Sequence, residues 1–143
     1  MNAADTNIWL YAVDHREPVK RERAYELLEE LARAGGCVLP WQVASEFVNG
    51  LRRWETRQVL TREKVDEFVA WMIEMFPVTA PERLTVLTAL DLSRRYCLSH
   101  WDSMLLAACL EAGVTTLYSE DLSHGQRYDT VLVVNPFVTS TAK

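Results

Sequence analysis

Apolar residues in this chain fall into short dense runs alternating with stretches spaced by three and four, the mark of buried strands between amphipathic helices. The first run, Asn2 to Ala4, reads as a strand closed by Asp5, and helix follows through Ile8-Trp9-Leu10-Tyr11-Ala12. Pro18 suits the first turn of a second helix, where proline's missing N–H has no partner to lose. Val19, Ala24, Leu27, Leu28 and Leu31 recur at helical spacing there, and Gly35-Gly36 stops the helix. Cys37-Val38-Leu39 reads as a buried strand ended by Pro40. A third helix is predicted from about Gln42 to Trp54, with Val43, Phe47, Leu51 and Trp54 on one face, and a fourth from about Arg62 to Met75. Pro77-Val78-Thr79 gives a short strand, Pro81 opens a helix to about Tyr96, and Ser99 caps another to Ala112, with Gly113 just past its end. Thr115–Tyr118 and Val131–Val134 complete the strands. Strands alternating with helices predict a parallel sheet covered on both faces. Ligands bind such sheets beyond the carboxyl ends of the strands, the edge where Asp5 and Asp121 fall.

With 143 residues the chain is expected to form one domain over 1–143, with a core that needs no covalent staples. A content of 49% hydrophobic and 24% charged residues is ordinary for a soluble globular protein. No run approaches the roughly 20 apolar residues that span a membrane. The chain enters its first strand straight after Met1, so no leader segment is expected. Three cysteines without close spacing argue against a disulfide framework or zinc ribbon and favour a reducing, cytoplasmic setting. His15, His100 and His124 have no ligand-like spacing either. The net charge of −5 runs against the basic character usual in nucleic-acid binders. A cation pocket would itself contribute negative charge, however, and the basic residues cluster as Lys20, Arg21 and Arg23 and as Arg52, Arg53, Arg57, Arg62 and Lys64.

Four acids carry the candidate chemistry. Asp5 starts Asp5-Thr6-Asn7, where it also suits a helix N-cap; Thr6 and Asn7 add a hydroxyl and an amide at the same point. Glu46 lies at the margin of the apolar face of its helix, one turn before Gly50, a mid-helix glycine that suggests a need for room. Asp102 stands three residues after Ser99, a capping-box-like spacing, at the start of a nearly apolar helix. Asp121 follows a strand in Ser119-Glu120-Asp121, and position alone does not separate it from Glu120. Acids at the ends of buried elements call for compensation, and hard carboxylate oxygens suit Mg²⁺ or Mn²⁺.

Taken together these stretches resemble a PIN domain, specifically the VapC-type toxin ribonucleases of toxin–antitoxin pairs. The resemblance rests on Ala4 to Ala12, Ala44-Ser45-Glu46-Phe47, Tyr96 to Ser103, Leu117 to Gln126 and Val134-Asn135-Pro136-Phe137, in the family's order and over almost the whole chain. It implies a three-layer α/β/α sandwich around a short parallel sheet. It also implies that Asp5, Glu46, Asp102 and Asp121 form a metal-binding quartet, with Thr6 and Ser119 as supporting hydroxyls and Asp121, rather than Glu120, as the fourth acid. The implied activity is metal-dependent hydrolysis of RNA phosphodiester bonds, and the implied partner is an antitoxin whose peptide covers the site. A homodimer is expected, with the second and fourth helices as candidate surfaces for either partner. A haloacid-dehalogenase-like phosphatase would want an aspartate where Asn7 stands, and a receiver-like domain a lysine after a late strand, which is missing. A PIN scaffold that binds RNA or protein without cleaving it is the alternative.

Overall fold

Each of the first three strands in the computed structural model, which describes residues 1–138, is followed by a pair of helices. β1 (Asn2–Ala4) leads to α1 (Thr6–Val13) and α2 (Pro18–Ala34), and β2 (Leu39–Pro40) to α3 (Trp41–Thr56) and α4 (Arg62–Met75). β3 (Val78–Thr79) leads to α5 (Thr85–Tyr96) and α6 (His100–Glu111), and β4 (Thr116–Tyr118), β5 (Arg127–Tyr128) and β6 (Val131–Val134) follow. The main sheet has the order β1-β4-β6-β5, parallel except for β5, which turns back on β6. β2 and β3 form a second parallel pair, set beside β1 by one bridge between Asn2 and Cys37. Helices on both sides of this strand layer give the α/β/α sandwich. No helix among the described residues is long and apolar enough to cross a membrane.

Three elements depart from the sequence reading, each for a local reason. The expected strand Cys37–Leu39 is split: Cys37 bridges to β1, while pairing with β3 begins at Leu39 and extends onto Pro40. The helix expected from Pro81 starts at Thr85, because Thr85 Oγ1 accepts from Glu82 N at 2.8 Å and holds the preceding residues in a turn. β5 was not expected. It is two residues long, and Asp129 in the left-handed region (φ 53°) makes the turn that returns it to β6.

The core explains why α1 sits where it does. Trp9 is buried and meets Phe47, Trp71 and Phe76 edge-on, with ring centroids at 6.2, 5.4 and 5.7 Å. Burying such a side chain contributes about 1.5–3 kcal/mol, and here it fixes α1 against α3 and α4. Gly50 is where α1 and α3 come closest: a Cβ there would stand 3.0 Å from Leu10 Cδ2. The room that glycine provides is for a neighbouring helix. Apolar side chains are exposed at Val19 and Tyr25 on α2 and at Ile73 on α4, the two helices named from the sequence. A further exposed set, Leu84, Val86, Leu87 and Leu90, lies at the start and along the outside of α5.

Candidate active site

The register of β1 and β4 brings the first two site residues together. Ala4 pairs with Tyr118, and Asp5 N donates to Tyr118 O at 2.8 Å, so Asp5 and Ser119 leave the sheet side by side. Asp5 caps α1 through Oδ1, which accepts from Thr6 N at 2.7 Å, and its Oδ2 accepts from Ser119 Oγ at 2.7 Å. The side chain is buried. Loss of hydration pushes its pKa up to about 6; the bonds from Ser119 and Thr6 oppose that rise, and the charges of Asp121 and Glu46 add to it.

Thr6 then extends the set to α3. Its hydroxyl donates to Glu46 Oε2 at 3.0 Å, while Gln42 Nε2, one turn earlier on α3, donates to Glu46 Oε1 at 2.7 Å. The same Gln42 amide donates to the carbonyl of Trp101 at 3.0 Å and so ties the start of α3 to the start of α6. Asp121 is anchored by its backbone: its N–H donates to Ser119 Oγ at 3.2 Å, and its side chain is exposed.

Glu120 is engaged elsewhere. Lys20 Nζ donates to its Oε2 at 2.8 Å and Tyr11 OH to its Oε1 at 3.1 Å, while its N–H donates to Asn7 Oδ1 at 3.3 Å. Asn7 therefore steadies the segment that carries Asp121, and its buried Nδ2 has no partner among the described residues. Asp102 is half-buried in the first turn of α6, where its N–H donates to Ser99 Oγ at 3.3 Å. Its carboxylate joins no hydrogen bond or ion pair among the described residues; its link to the other acids is through Trp101, the residue before it.

Sequence reasoning missed Gln42, Lys20 and Tyr11. Gln42 had a signal, since it lies one turn before Glu46 on the same helix face. Lys20 and Glu120 are 100 residues apart, and nothing local announces their pairing.

Asp5, Glu46, Asp102 and Asp121 make no ion pair with lysine, arginine or histidine among the described residues. Also among these residues, no three acids, histidines or cysteines converge closely enough to enclose a metal ion with protein atoms alone. The donor type, carboxylate oxygen, is the one that Mg²⁺ or Mn²⁺ takes. Mg²⁺ keeps several waters and is bound through one or two carboxylates together with substrate phosphate.

A cleft of about 670 Å³ opens between α3, β3, α5 and α6, and Glu46 is the member of the four acids that lines it. Two tryptophans stand in its wall, Trp41 at 56% and Trp101 at 64% exposure. The other three belong to the core: Trp9 is buried, and Trp54 and Trp71 are half-buried against it.

A model of the PIN domain matches residues 3–128. The chain belongs to the PIN domain family. Solved structures similar to this PIN domain include a chain of VapBC2 from Rickettsia felis bound to a promoter DNA fragment, at 14% identity and a TM-score of 0.71, covering 92% of this chain and 96% of that one. A toxin–antitoxin complex from Klebsiella pneumoniae matches at 18% identity and 0.63, covering 96% and 98%. VapC20 of Mycobacterium tuberculosis, a sarcin–ricin loop cleaving toxin, matches at 15% and 0.59, covering 85% and 90%. At these identities the likeness speaks for the fold. No curated protein matches this PIN domain.

Proposed function

We propose that this PIN domain is a divalent-metal-dependent endoribonuclease, the toxin of a toxin–antitoxin pair acting in the cytoplasm. The observation that carries the reading is the joining of Asp5 and Asp121, at the carboxyl ends of two paired parallel strands, to Glu46 on α3 through Thr6 and Ser119, with no ion pair to a cation among the described residues. Asp5 and Asp102 are the proposed principal ligands of Mg²⁺ or Mn²⁺, with Glu46 and Asp121 holding a second ion or orienting the attacking water. When bound, such an ion stabilises charge on the phosphate and makes water acidic enough to ionise near neutral pH. The chain's own part is to hold the carboxylates. Ser119 and Thr6 fix both oxygens of Asp5, and Thr6 and Gln42 fix both oxygens of Glu46, so their orientation is set before substrate arrives.

The proposed partner is an antitoxin peptide that covers the site, in keeping with similar chains found in toxin–antitoxin complexes. An arginine from such a peptide would pair with acids that lack a cation. A homodimer is also proposed. The alternative of a silent scaffold draws on Asp102, whose carboxylate stands apart from the hydrogen-bonded set.

One experiment separates the readings. Purified protein with Mg²⁺ is expected to cleave RNA to fragments bearing 5′-phosphate and 3′-hydroxyl ends, and Asp5→Asn to cut at least 100-fold more slowly. Cleavage that survives EDTA, or equal rates for both proteins, would overturn the nuclease reading.

A further inference from the structure

The cleft that Glu46 lines carries two exposed indoles in its wall. Trp41 opens α3 and Trp101 lies in the first turn of α6, and both rings line the cleft while remaining more than half exposed. Gln42 sits directly after one of them and bonds the carbonyl of the other, so the backbones carrying the two indoles are tied together. Through Glu46 the same Gln42 joins the cleft wall to the acid set. Arg53 also lines the cleft. Four of the eight cations in the basic clusters named from the sequence are engaged in ion pairs: Lys20 with Glu120, Arg23 with Glu30, Arg62 with Glu55 and Lys64 with Glu67. Arg53 has no ion pair among the described residues, and the Asn49 side chain makes no hydrogen bond among them.

Exposed indoles beside a free guanidinium and a free amide are what an unpaired base needs: a π-face, a charge for its phosphate, and a donor and acceptor for its edge. The geometry points to this cleft as a subsite for one unpaired nucleobase of a single-stranded RNA, next to the phosphate that is cut. Trp101 and Trp41 supply the stacking surfaces, Arg53 meets a phosphate of the same strand and Asn49 faces the base edge. This rests on the nuclease reading and extends it, because it makes the flanking base, and not the phosphate alone, part of what is recognised. A duplex holds its bases stacked inside, so single-stranded loops and ends are the favoured targets.

The test uses the full chain carrying Asp5→Asn, so that bound RNA is not cut. Affinity for a short fluorescein-labelled single-stranded RNA is read by anisotropy in Mg²⁺ buffer. Trp101→Ala, and separately Trp41→Ala, is expected to weaken binding about tenfold, the loss of one stacked base. Trp101→Phe keeps a ring and is expected to recover most of that loss. An oligonucleotide with abasic sites keeps its phosphates and is expected to bind the parent and Trp101→Ala alike. Because both rings are exposed, truncation leaves the core intact, and unchanged melting confirms it. Equal affinity of parent and alanine variants for intact RNA overturns the subsite, even where the wild-type acids still cleave RNA. Absence of both binding by the parent and cleavage by the wild type overturns the nuclease reading as well. If instead the alanine variants turn a dimer into a monomer, the cleft is a face between two copies and the subsite falls.

Discussion

Asp5 stands where burial favours its neutral form, yet the proposed chemistry needs it charged. Its pKa is raised from 3.8 to about 6, so its ionisation weakens the fold progressively as pH rises through that interval, and above it the whole penalty is present. Metal-free Asp5→Asn is therefore expected to be more stable than wild type at pH 7.5, by on the order of 2 kcal/mol, and no more stable near pH 3.5. Thermal melts in EDTA at the two pH values check this; a variant equally or less stable at pH 7.5 contradicts it. Mg²⁺ should raise the melting temperature of the wild type and leave the variant nearly unmoved. Thr6 offers a separate test, because its hydroxyl orients Glu46 while its backbone serves the cap. Thr6→Val should lower the cleavage rate about 10- to 100-fold, and Thr6→Ser should restore it.

At the level of elements, the crossing of α1 and α3 is set by Gly50 against Leu10. Alanine at 50 would gain about 1 kcal/mol of helix propensity but crowd the Leu10 methyls. Gly50→Ala is expected to destabilise the wild type and to stabilise a Leu10→Ala background. Denaturant midpoints around that cycle decide it, and additive effects would show that the contact is not tight. The Lys20–Glu120 pair ties α2 to the loop bearing Asp121. A half-exposed pair of this kind contributes at most about 1 kcal/mol. Lys20→Ala should therefore barely shift melting yet slow cleavage by loosening Asp121, and Lys20→Arg should keep the rate. The helices of the site were legible because α3 and α6 carry long apolar patterns with clear stops. β5 was not, since two residues with a single inward Tyr128 leave no pattern, and only the turn at Asp129 creates the strand. The acids and the hydroxyls of Thr6 and Ser119 could be named through the resemblance, whereas Lys20 and Tyr11 act across elements, and Gln42, missed too, shares a helix with the acid it holds.

For the molecule as a whole, two carboxylates set opposite edges of a pH window. Asp129 is held down to about 2 by hydrogen bonds from Arg95 and Tyr96, which fasten the β5–β6 turn to the end of α5. Its contribution is present above the ordinary aspartate range and is lost as pH falls toward 2, whereas Asp5 weakens the fold on the alkaline side. Metal-free protein should accordingly be most stable near pH 4 and lose stability on both sides, toward pH 2 and toward pH 6, as melting curves across pH 2.5–8 would reveal. Asp129→Asn should flatten the acid edge alone, and Asp5→Asn the alkaline edge alone.

Ser119 Oγ reaches Asp5 across 114 residues, and the N–H of Ser119 is in turn bonded to the carbonyl of Val134. During translation these partners emerge last. A nascent copy that stops before Ser119 has neither β4 nor that hydroxyl beside its first strand, and one that stops before Val134 still lacks the carbonyl that holds Ser119. The hydrogen-bonded frame of the site is thus complete only once the strand at Val131–Val134 has left the ribosome, which would confine the proposed activity to copies that carry it.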